Sequence, residues 1–312
     1  MIPSHQMTPQ ERFRFTDTGE HGVQSAAISV LCIAGPTASG KSARAVEEAL
    51  ARGGEIISVD SRQVYRGLDI GTEKITLGEA RGVPHHLLDI RDVHENYSAG
   101  DFVTDATRLI REISGRGKLP ILVGGTHFYF DALLRGLPSG IDGNPELRNA
   151  LETHSTEELY LRVRKADARR AAELDPKNRR RLIRALEIIE AKGVVPKRSQ
   201  NSVASYAAEW IIVDPVREEL RAKIDARLAS ALAHGLIEEV RRVRGEIGDV
   251  RLNELGLEYK IVGEFLRDER TEASLVPTLS TKLWQYARHQ RAWLRKLHDE
   301  IISVVPSRLD KN

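Results

Sequence analysis

The sequence predicts an α/β fold in which a mostly parallel sheet is flanked by helices and interrupted by an inserted all-helical domain. Three observations lead to this prediction. Short apolar runs alternate with helical patterns along most of the chain, which is typical of parallel sheets. A glycine-rich loop joins the first run to the first helix. The strand-like runs stop between Gly140 and Gln200, where the sequence becomes helical, polar and basic.

The first strand is predicted at Ile28 to Ala34, and it leads directly into the sequence GPTASGKS. This Gly-x-x-x-x-Gly-Lys-Ser pattern between a strand and a helix is a P-loop, so the predicted fold is P-loop NTPase-like. Backbone amides at the start of the helix bind phosphate oxygens, while Lys41 adds a charge and Ser42 a hydroxyl placed for Mg²⁺. The predicted diphosphate site consists of Gly35, Pro36, Thr37, Ala38, Ser39, Gly40, Lys41 and Ser42.

The remaining strands are predicted at EIISVD (55–60), HHLLDI (85–90), PILVGG (120–125) and EWIIVD (209–214). Ligands of open parallel sheets bind at the carboxyl ends of the strands. The polar residues at these ends are therefore candidates for a site, and they are Asp60, Asp89, Thr126 and Asp214, the last followed by Arg217.

The domain boundaries are predicted from composition. Residues 1–27 contain few large apolar side chains and are expected to be a mobile extension. Stretches rich in glycine and proline mark both ends of the helical part. We therefore expect an α/β core at 28–139 and 201–312 and a helical insert at 140–200.

Two amphipathic helices are predicted in detail. In the insert, RRRLIRALEII places Arg180 and Arg184 on the solvent side, opposite a face formed by Leu182, Ala185, Leu186 and Ile189. In the last long helix, one stripe is formed by Leu283, Ala287, Gln290, Leu294 and Leu297. A second stripe on that helix is formed by Trp284, Arg288, Arg291 and Arg295.

Charge is unevenly distributed, although the net charge is only +2. Residues 161–200 contain 13 Lys or Arg against 5 Asp or Glu, and residues 281–297 contain five basic residues and no acidic one. Such blocks are commonly solvated helix faces. In a diphosphate-binding protein they favour a polyanionic partner, because phosphate contacts from Lys and Arg supply most of the affinity for nucleic acid.

The composition excludes two protein classes. Cys32 is the only cysteine and lies in the first predicted strand, so an intrachain disulfide is impossible. No apolar stretch approaches the roughly 20 residues that a membrane span requires. We therefore expect a cytoplasmic protein with no membrane partner.

Several segments resemble those of one known family. They are SVDSRQVYRGLDIGT (58–72), PHHLLDI (84–90), YSAGDF (97–102), LVGGTHFYFDALLRGL (122–137), NPELR (144–148), DPKNRRRLIRALEI (175–188) and RHQRAWLR (288–295). Together with the P-loop, and in this order, they resemble the tRNA dimethylallyltransferases, also called tRNA isopentenyltransferases. The resemblance covers most of residues 28–297.

The resemblance implies a reaction. These enzymes transfer the five-carbon prenyl group of dimethylallyl diphosphate to the N6 amine of the adenosine 3′-adjacent to the anticodon, in tRNAs reading codons that begin with U, and release pyrophosphate. An exocyclic adenine amine is a poor nucleophile, so Asp60 is suited to accept its proton. Thr126 can donate a hydrogen bond to the oxygen between carbon and phosphorus. Lys41, Mg²⁺ and Arg217 are expected to meet the charge on the departing pyrophosphate.

The resemblance also implies where tRNA binds. The target adenine must leave the anticodon loop, and we expect it to lie beside Ser61, Arg62 and Gln63. Contacts with the tRNA anticodon stem-loop are expected at Arg148, Arg180, Arg181, Arg184, Arg288, His289, Gln290, Arg291 and Arg295. We expect the protein to act as a monomer.

The chain departs from the family pattern at three places. The family commonly has a glycine followed directly by a tyrosine in one segment. In this chain, which reads LNELGLEYKIVGEF there, two extra residues separate Gly256 from Tyr259. Arg288, His289 and Gln290 replace Lys-Arg-Gln, with Ala292 where threonine is common. Glu73 occupies a position that is usually alanine.

Three other functions agree with parts of the sequence. A P-loop alone suggests ATP or GTP, as in a small-molecule kinase, but Thr126 stands at a strand end where a kinase usually has a magnesium-holding carboxylate. An adenylate isopentenyltransferase would use the same donor with a free nucleotide, which needs no large basic insert. An RNA-binding protein with a vestigial P-loop would bind tRNA without turnover.

Overall fold

The computed structural model describes residues 10–15, 27–137, 143–196 and 206–304, with side chains described at 27–137, 143–196 and 206–297. The chain divides into two compact units, Met1–Leu133 with Ala204–Asn312, and Leu134–Val203. The second unit includes the predicted insert, 140–200. The Gly- and Pro-rich boundary segments fall largely at 138–142 and 197–205, which lie outside the described residues.

The secondary structure alternates as predicted. The strands are β1 (Gln10–Phe15), β2 (Ile28–Ala34), β3 (Gly54–Val59), β4 (His85–His86), β5 (Leu119–Gly124) and β6 (Tyr206–Val213). The helices are α1 (Lys41–Arg52), α2 (Leu77–Ala80), α3 (Ala99–Gly115), α4 (His127–Arg135), α5 (Pro145–Glu152), α6 (Thr156–Ala166), α7 (Ala168–Glu173), α8 (Arg179–Lys192), α9 (Arg217–Ala233), α10 (Leu236–Leu252), α11 (Leu257–Leu266) and α12 (Glu272–Val304).

The strands form one six-stranded sheet in the order β1-β6-β2-β5-β3-β4. All neighbouring pairs from β6 to β4 are parallel, which confirms the predicted α/β sheet. Helix α1 packs on the sheet over Leu31, Ile33, Ile56 and Ile121, none of which has exposed surface. Burial of these β-branched and leucine side chains is the main force that stabilises the sheet.

The N-terminal region is not entirely a mobile extension, and this part of the prediction is wrong for residues 10–15. They form β1, which pairs antiparallel with β6, with Gln10 opposite Val213 and Phe15 opposite Ala208. Within QERFRF only the last four residues, Arg12 to Phe15, alternate polar and apolar side chains with the period of a strand. The neighbouring residues in the sequence are mostly polar, so this short pattern does not by itself predict a strand. Pairing also satisfies backbone groups along the edge of β6.

The second misplaced element is the strand predicted at residues 85–90, which extends only over His85–His86. Leu87 and Asp89 have positive φ angles of 62° and 56°, so the backbone cannot continue as a strand. Lys74 stabilises this turn with its ammonium 2.5 Å from Asp89 and 2.7 Å from Asp69. The ion pair with Asp89 joins residues 15 positions apart, so it is not visible in a local apolar run.

The second unit consists of α5 to α8 around its own apolar core. Leu159, Val163 and Leu182 are completely buried there. The predicted face of α8 is correct, since Ala185 is buried with Leu182 while Leu186 and Ile189 pack against the same core. On the opposite side Arg180 is exposed.

Helix α12 also follows its predicted periodicity. The residues of its predicted stripe, Leu283, Ala287, Gln290, Leu294 and Leu297, are all buried. No helix in the described part of the chain combines the length and apolar character needed to cross a membrane.

We predict that Cys32 is unreactive toward a chromogenic disulfide reagent in the native protein at about pH 8. Its side chain has no exposed surface, and burial raises the pKa of the thiol far above its ordinary value. The same reagent should titrate one thiol per chain after unfolding in guanidinium. Rapid labelling of the native protein would show that Cys32 of β2 is accessible to the reagent and not buried inside the sheet.

Candidate active site at the carboxyl ends of the sheet

A cavity of about 270 Å³ lies at the carboxyl ends of β2, β3 and β5. Its lining combines Lys41 and Ser42 of the P-loop, Asp60 after β3 and Thr126 after β5. Residues that lie far apart in sequence therefore meet at the edge of the sheet where the sequence placed a site. The predicted residues Ser61, Arg62 and Gln63 also line this cavity.

The P-loop has the backbone conformation that phosphate binding requires. Ala38 and Gly40 have positive φ angles of 60° and 88°, and Gly40 is the residue that precedes α1. Gly35 allows close packing, because a Cβ there would lie 2.6 Å from the carbonyl oxygen of Val213. The loop thus turns tightly between β2 and α1, with its amides at the positive end of the helix.

Lys41 is constrained within this loop. Its ammonium donates a hydrogen bond to the carbonyl oxygen of Pro36 at 3.2 Å. Burial lowers the pKa of Lys41, whereas the nearby carboxylates of Glu73 and Asp60 oppose that shift. An anionic ligand in the cavity would act in the same direction as these carboxylates and stabilise the charged form of the lysine.

Asp60 is held by the backbone that follows it. Its Oδ1 accepts hydrogen bonds from the amides of Arg62 at 2.8 Å and Gln63 at 3.2 Å. The side chain of Gln63 in turn accepts a hydrogen bond from Ser58 at 2.9 Å and donates one to the carbonyl oxygen of Thr72 at 3.0 Å. One carboxylate oxygen of Asp60 thus fixes the turn, and Oδ2 makes no hydrogen bond with the described residues.

Thr126 is oriented from the same turn. Its Oγ1 accepts a hydrogen bond from the amide of Ser61 at 3.1 Å, and its own amide donates to the carbonyl oxygen of Val59 at 3.2 Å. Because the hydroxyl oxygen is used as an acceptor, its proton can be donated to a ligand in the cavity. Asp60 and Thr126 are therefore linked through a single residue, Ser61.

Arg227 is a cavity residue that the sequence analysis missed. Its guanidinium donates to the hydroxyl of Thr37, forms an ion pair with Glu73, and lies 3.5 Å from Glu258. Burial raises the pKa of Glu258, and the positive charge of Arg227 opposes this shift. The sequence did hold a signal, since Arg227 follows the buried residues Leu220 and Ile224 of α9 at helical spacing.

Arg217 lies in a different place from the one predicted. It is exposed and does not line the cavity that contains the P-loop. Its guanidinium instead lies over the ring of Trp284, 5.8 Å from the ring centre. Arg217 is the first residue of α9 and Arg227 the eleventh, so about 15 Å of helix axis separates them.

A second cavity, of about 230 Å³, is strongly basic. It is lined by Arg217, Trp284, Arg288, Arg291 and Arg295. Asp214 is the acidic group beside it, with Oδ1 2.8 Å from Arg291. Burial raises the pKa of Asp214, while Arg291 and Arg295 oppose this shift. The predicted arginine stripe of α12 thus forms a groove suited to phosphate groups, which arginine binds through its planar fork.

Gln290 differs from its neighbours in the predicted stripe of contacts with RNA. Its side chain is buried and lines the first cavity, whereas His289 is exposed. Any contact of Gln290 with tRNA would therefore take place inside this cavity and not on the exposed face of the helix. On a helix, residue 290 lies about 100° from residues 289 and 291, so one residue of a basic segment can face inward.

The other predicted tRNA contacts lie in the helical unit. Arg180 and Arg181 are exposed, as a phosphate contact requires. Arg148 and Arg184 share Glu187, whose Oε2 is 3.0 Å and 3.1 Å from their respective guanidinium groups. Because the side chain of Glu187 is only 1% exposed, it offsets part of their positive charge.

The segment at Gly256 and Tyr259 has a structural role in this chain. The hydroxyl of Tyr259 donates to Glu239 at 2.7 Å. The same carboxylate accepts hydrogen bonds from the amides of Asp69, Ile70 and Gly71, each at 2.9 Å. A Cβ at Gly71 would lie 2.8 Å from the Tyr259 ring. Glu239 therefore fixes the loop that forms one side of the cavity.

The chain is similar to proteins of one known family. The family model described as IPP transferase matches residues 63–297. A tRNA dimethylallyltransferase from Thermomicrobium roseum is 41% identical over 278 residues, covering 86% of this chain and 84% of that protein. The corresponding protein of Anaeromyxobacter dehalogenans is 40% identical over 277 residues, covering 86% and 92%.

Solved structures show the same similarity. The tRNA isopentenylpyrophosphate transferase of Bacillus halodurans has a TM-score of 0.62 and 36% identity, covering 86% of this chain and 87% of that one. A eukaryotic dimethylallyltransferase acting on tRNA has a TM-score of 0.75 and 29% identity, covering 86% and 70%.

We predict that Glu239→Gln lowers the free energy of unfolding by about 3 kcal/mol, because an amide cannot accept all these hydrogen bonds and its NH₂ would face backbone donors. Urea denaturation would measure the change. Glu238→Gln is the matched control: Glu238 is exposed, and its ion pair among the described residues is with Arg241 at 3.6 Å, so about 0.5 kcal/mol or less is expected. Equal losses of stability in both variants would show that the hydrogen bonds of Glu239 do not stabilise the loop at residues 69–71.

Proposed function

This chain belongs to the IPP transferase family, and we propose that it transfers the dimethylallyl group of dimethylallyl diphosphate to the N6 amine of the adenosine 3′-adjacent to the anticodon, in tRNAs reading codons that begin with U. Pyrophosphate is the second product. The observation that supports this most is the joint lining of one cavity by Lys41, Asp60 and Thr126. A P-loop kinase would be expected to have a magnesium-holding carboxylate at the strand end where Thr126 stands.

The donor binds with its diphosphate on the P-loop. The amides at the start of α1 and the ammonium of Lys41 hold the phosphate oxygens. Arg227, which reaches the hydroxyl of Thr37, is the second cation for this group and takes the role first expected of Arg217. When the diphosphate enters, it competes with Glu73 and Glu258 for the guanidinium of Arg227.

Bond cleavage builds negative charge on the leaving pyrophosphate. The hydroxyl of Thr126 donates a hydrogen bond to the oxygen between the allylic carbon and phosphorus, and this bond strengthens as the oxygen becomes anionic. Lys41 and Arg227 stabilise the same charge. Since these donors are already oriented in the folded protein, little reorganisation is needed when the carbon-oxygen bond breaks.

Asp60 serves as the general base. As the N6 nitrogen of adenine forms its bond to the allylic carbon, the amine loses a proton to the carboxylate. The hydrogen bonds that Arg62 and Gln63 donate to Oδ1 orient the carboxylate, while Oδ2 remains available to receive the proton. Ser61, Arg62 and Gln63 line the part of the cavity where the extruded base is expected.

Mg²⁺ is proposed as the cofactor. The described residues contain no group of three or more His, Cys, Asp or Glu side chains that could hold a metal by themselves. The hydroxyl of Ser42, which lines the cavity next to Lys41, would hold the ion together with diphosphate oxygens, the kind of ligand that Mg²⁺ prefers. When bound, the ion would neutralise part of the charge on the leaving group.

The tRNA anticodon stem-loop is the proposed partner. Flipping the target base out of the loop brings it to Asp60, and arginines hold the flanking phosphates. We assign this role to the groove of Arg288, Arg291 and Arg295 and to exposed arginines of the helical unit, including Arg180 and Arg181. We further propose that the protein acts as a monomer in the cytoplasm.

The reaction is tested by incubating the protein with unmodified tRNA, Mg²⁺ and labelled dimethylallyl diphosphate, which should place label on the RNA. We predict that Asp60→Asn lowers turnover by about 10²-fold or more with tRNA affinity unchanged, because asparagine keeps the Oδ1 acceptor but cannot take the proton. Thr126→Val should also lower turnover, whereas Thr126→Ser, which keeps the hydroxyl, should retain most of it.

The acceptor and donor distinguish the alternatives. Label on AMP without RNA would identify an adenylate isopentenyltransferase. Phosphate transfer from ATP would identify a kinase, and tRNA binding without any transfer would identify an RNA-binding protein. Equal loss of turnover and tRNA affinity in Asp60→Asn would make the residue structural.

We predict that Arg288→Gln and Arg295→Gln each weaken tRNA binding and reduce the slope of log affinity against log salt by about 1, as loss of one phosphate contact requires. Lys282→Gln is the control on the same helix, because Lys282 is exposed and does not line the basic groove. Filter binding over a range of salt concentrations measures the slopes. Identical slopes for all three variants would exclude the groove from the RNA interface.

A further inference from the structure

Gln290 connects two parts of the cavity that come from different strands. Its Oε1 accepts a hydrogen bond from the amide of Thr37, in the P-loop, at 2.8 Å. Its Nε2 donates a hydrogen bond to the carbonyl oxygen of Gly125, which directly precedes Thr126, at 3.0 Å. The side chain is 5% exposed, so both bonds are shielded from solvent.

The two bonds require an amide at this position. A carboxylate accepts from Thr37 but cannot donate to Gly125, and an apolar side chain does neither. Loss of both bonds would leave a buried N–H and a buried carbonyl without partners, which is costly. Contact at the strand end is tight, since a Cβ at Gly125 would lie 2.5 Å from Nε2 of Gln290. Only glycine leaves room for the side chain there.

From these contacts we infer that Gln290 is a positioning residue that sets the separation between the P-loop and the Thr126 end of β5. This inference rests on the proposed function, in which the P-loop holds the diphosphate and Thr126 contacts its bridging oxygen. Gln290 touches neither reacting atom. It acts through Thr37, whose hydroxyl also binds Arg227, and through Gly125.

Gln290 can affect turnover because the P-loop, which is proposed to hold the diphosphate, and Thr126, which carries the hydroxyl, belong to separate segments of the chain. Thr126 is anchored to β3 through Val59 and Ser61. The P-loop is anchored to the end of β2 and to α1. Gln290 of α12 bridges these segments directly. Because a misplacement of about 1 Å can cost about 10²-fold in rate, a single bridge of this kind affects turnover without touching the substrate.

Gln290→Met tests the inference, because methionine is unbranched and of similar length but makes neither hydrogen bond. We expect turnover to fall by between about 10- and 100-fold, with tRNA affinity within about twofold of the unchanged protein. Calorimetry should show Mg²⁺-pyrophosphate binding weakened by about tenfold. The matched control is Gln285→Met, on the exposed side of the same helix, which should change neither quantity.

Gln290→Glu is the second variant, and it distinguishes a bridge from a single contact. It keeps the acceptor for Thr37 and loses the donor to Gly125, so its turnover should fall as in Gln290→Met. Turnover equal to that of the unchanged protein would overturn the inference, since one contact would then suffice. A loss of melting temperature in Gln290→Met with unchanged turnover and pyrophosphate affinity would also overturn it, because the role would be purely structural.

The pyrophosphate measurement separates this inference from the proposed reaction. If the unchanged protein transfers no label to tRNA, the proposed function fails. Weaker pyrophosphate binding in Gln290→Met but not in Gln285→Met would still support Gln290 as the residue that positions the P-loop. Equal pyrophosphate affinity in all three proteins would overturn the inference whatever the labelling result.

Discussion

The parallel register of β2, β3 and β5 is the constraint on which the site depends. Gly124 at the end of β5 pairs with Ala34 of β2 on one side and with Val59 of β3 on the other. The next residues along these strands are Gly35, Asp60 and Gly125, so the P-loop, the carboxylate and the segment that contains Thr126 begin in one row. The strands approach so closely there that a Cβ at Gly124 would lie 2.0 Å from the carbonyl oxygen of Val59. A shift in register by one residue would separate these groups and turn the side chains to the other face.

The cavity formed at this edge contains two positively charged side chains, Lys41 and Arg227. Lys41 and Arg227 are partly removed from water, which is costly for a charged group unless opposite charges are close. Glu73 and Glu258 supply these charges to Arg227, and Glu73 with Asp60 supplies them near Lys41. In the proposed function, a bound diphosphate would replace part of this compensation.

The sequence predicted those features that depend on local pattern. The P-loop, the strand before it and the buried stripe of α12 were all placed correctly, because each has a spacing that a short segment contains in full. The roles of Arg227 and Gln290 could not be assigned in this way. Helical spacing places both residues on inward faces, but their partners lie far away in the sequence: Arg227 contacts Thr37, and Gln290 bridges Thr37 and Gly125. The turn at Asp89 was missed for the same reason, since Lys74 stabilises it from a distant position.

Residues of helix α12 line both cavities, although the sequence analysis assigned its segment from Arg288 to Arg295 to tRNA contacts alone. Leu283, Tyr286 and Gln290 line the first cavity, while Arg288, Arg291 and Arg295 line the basic groove. The alternation follows from helical geometry, because neighbouring residues differ by about 100° in direction. A helix is stiff over this length, so the groove and the cavity keep a fixed separation within the first unit. In the proposed function, RNA phosphates bound in the groove would therefore lie at a fixed distance from Asp60, and this distance would determine which nucleotide of the loop reaches that carboxylate.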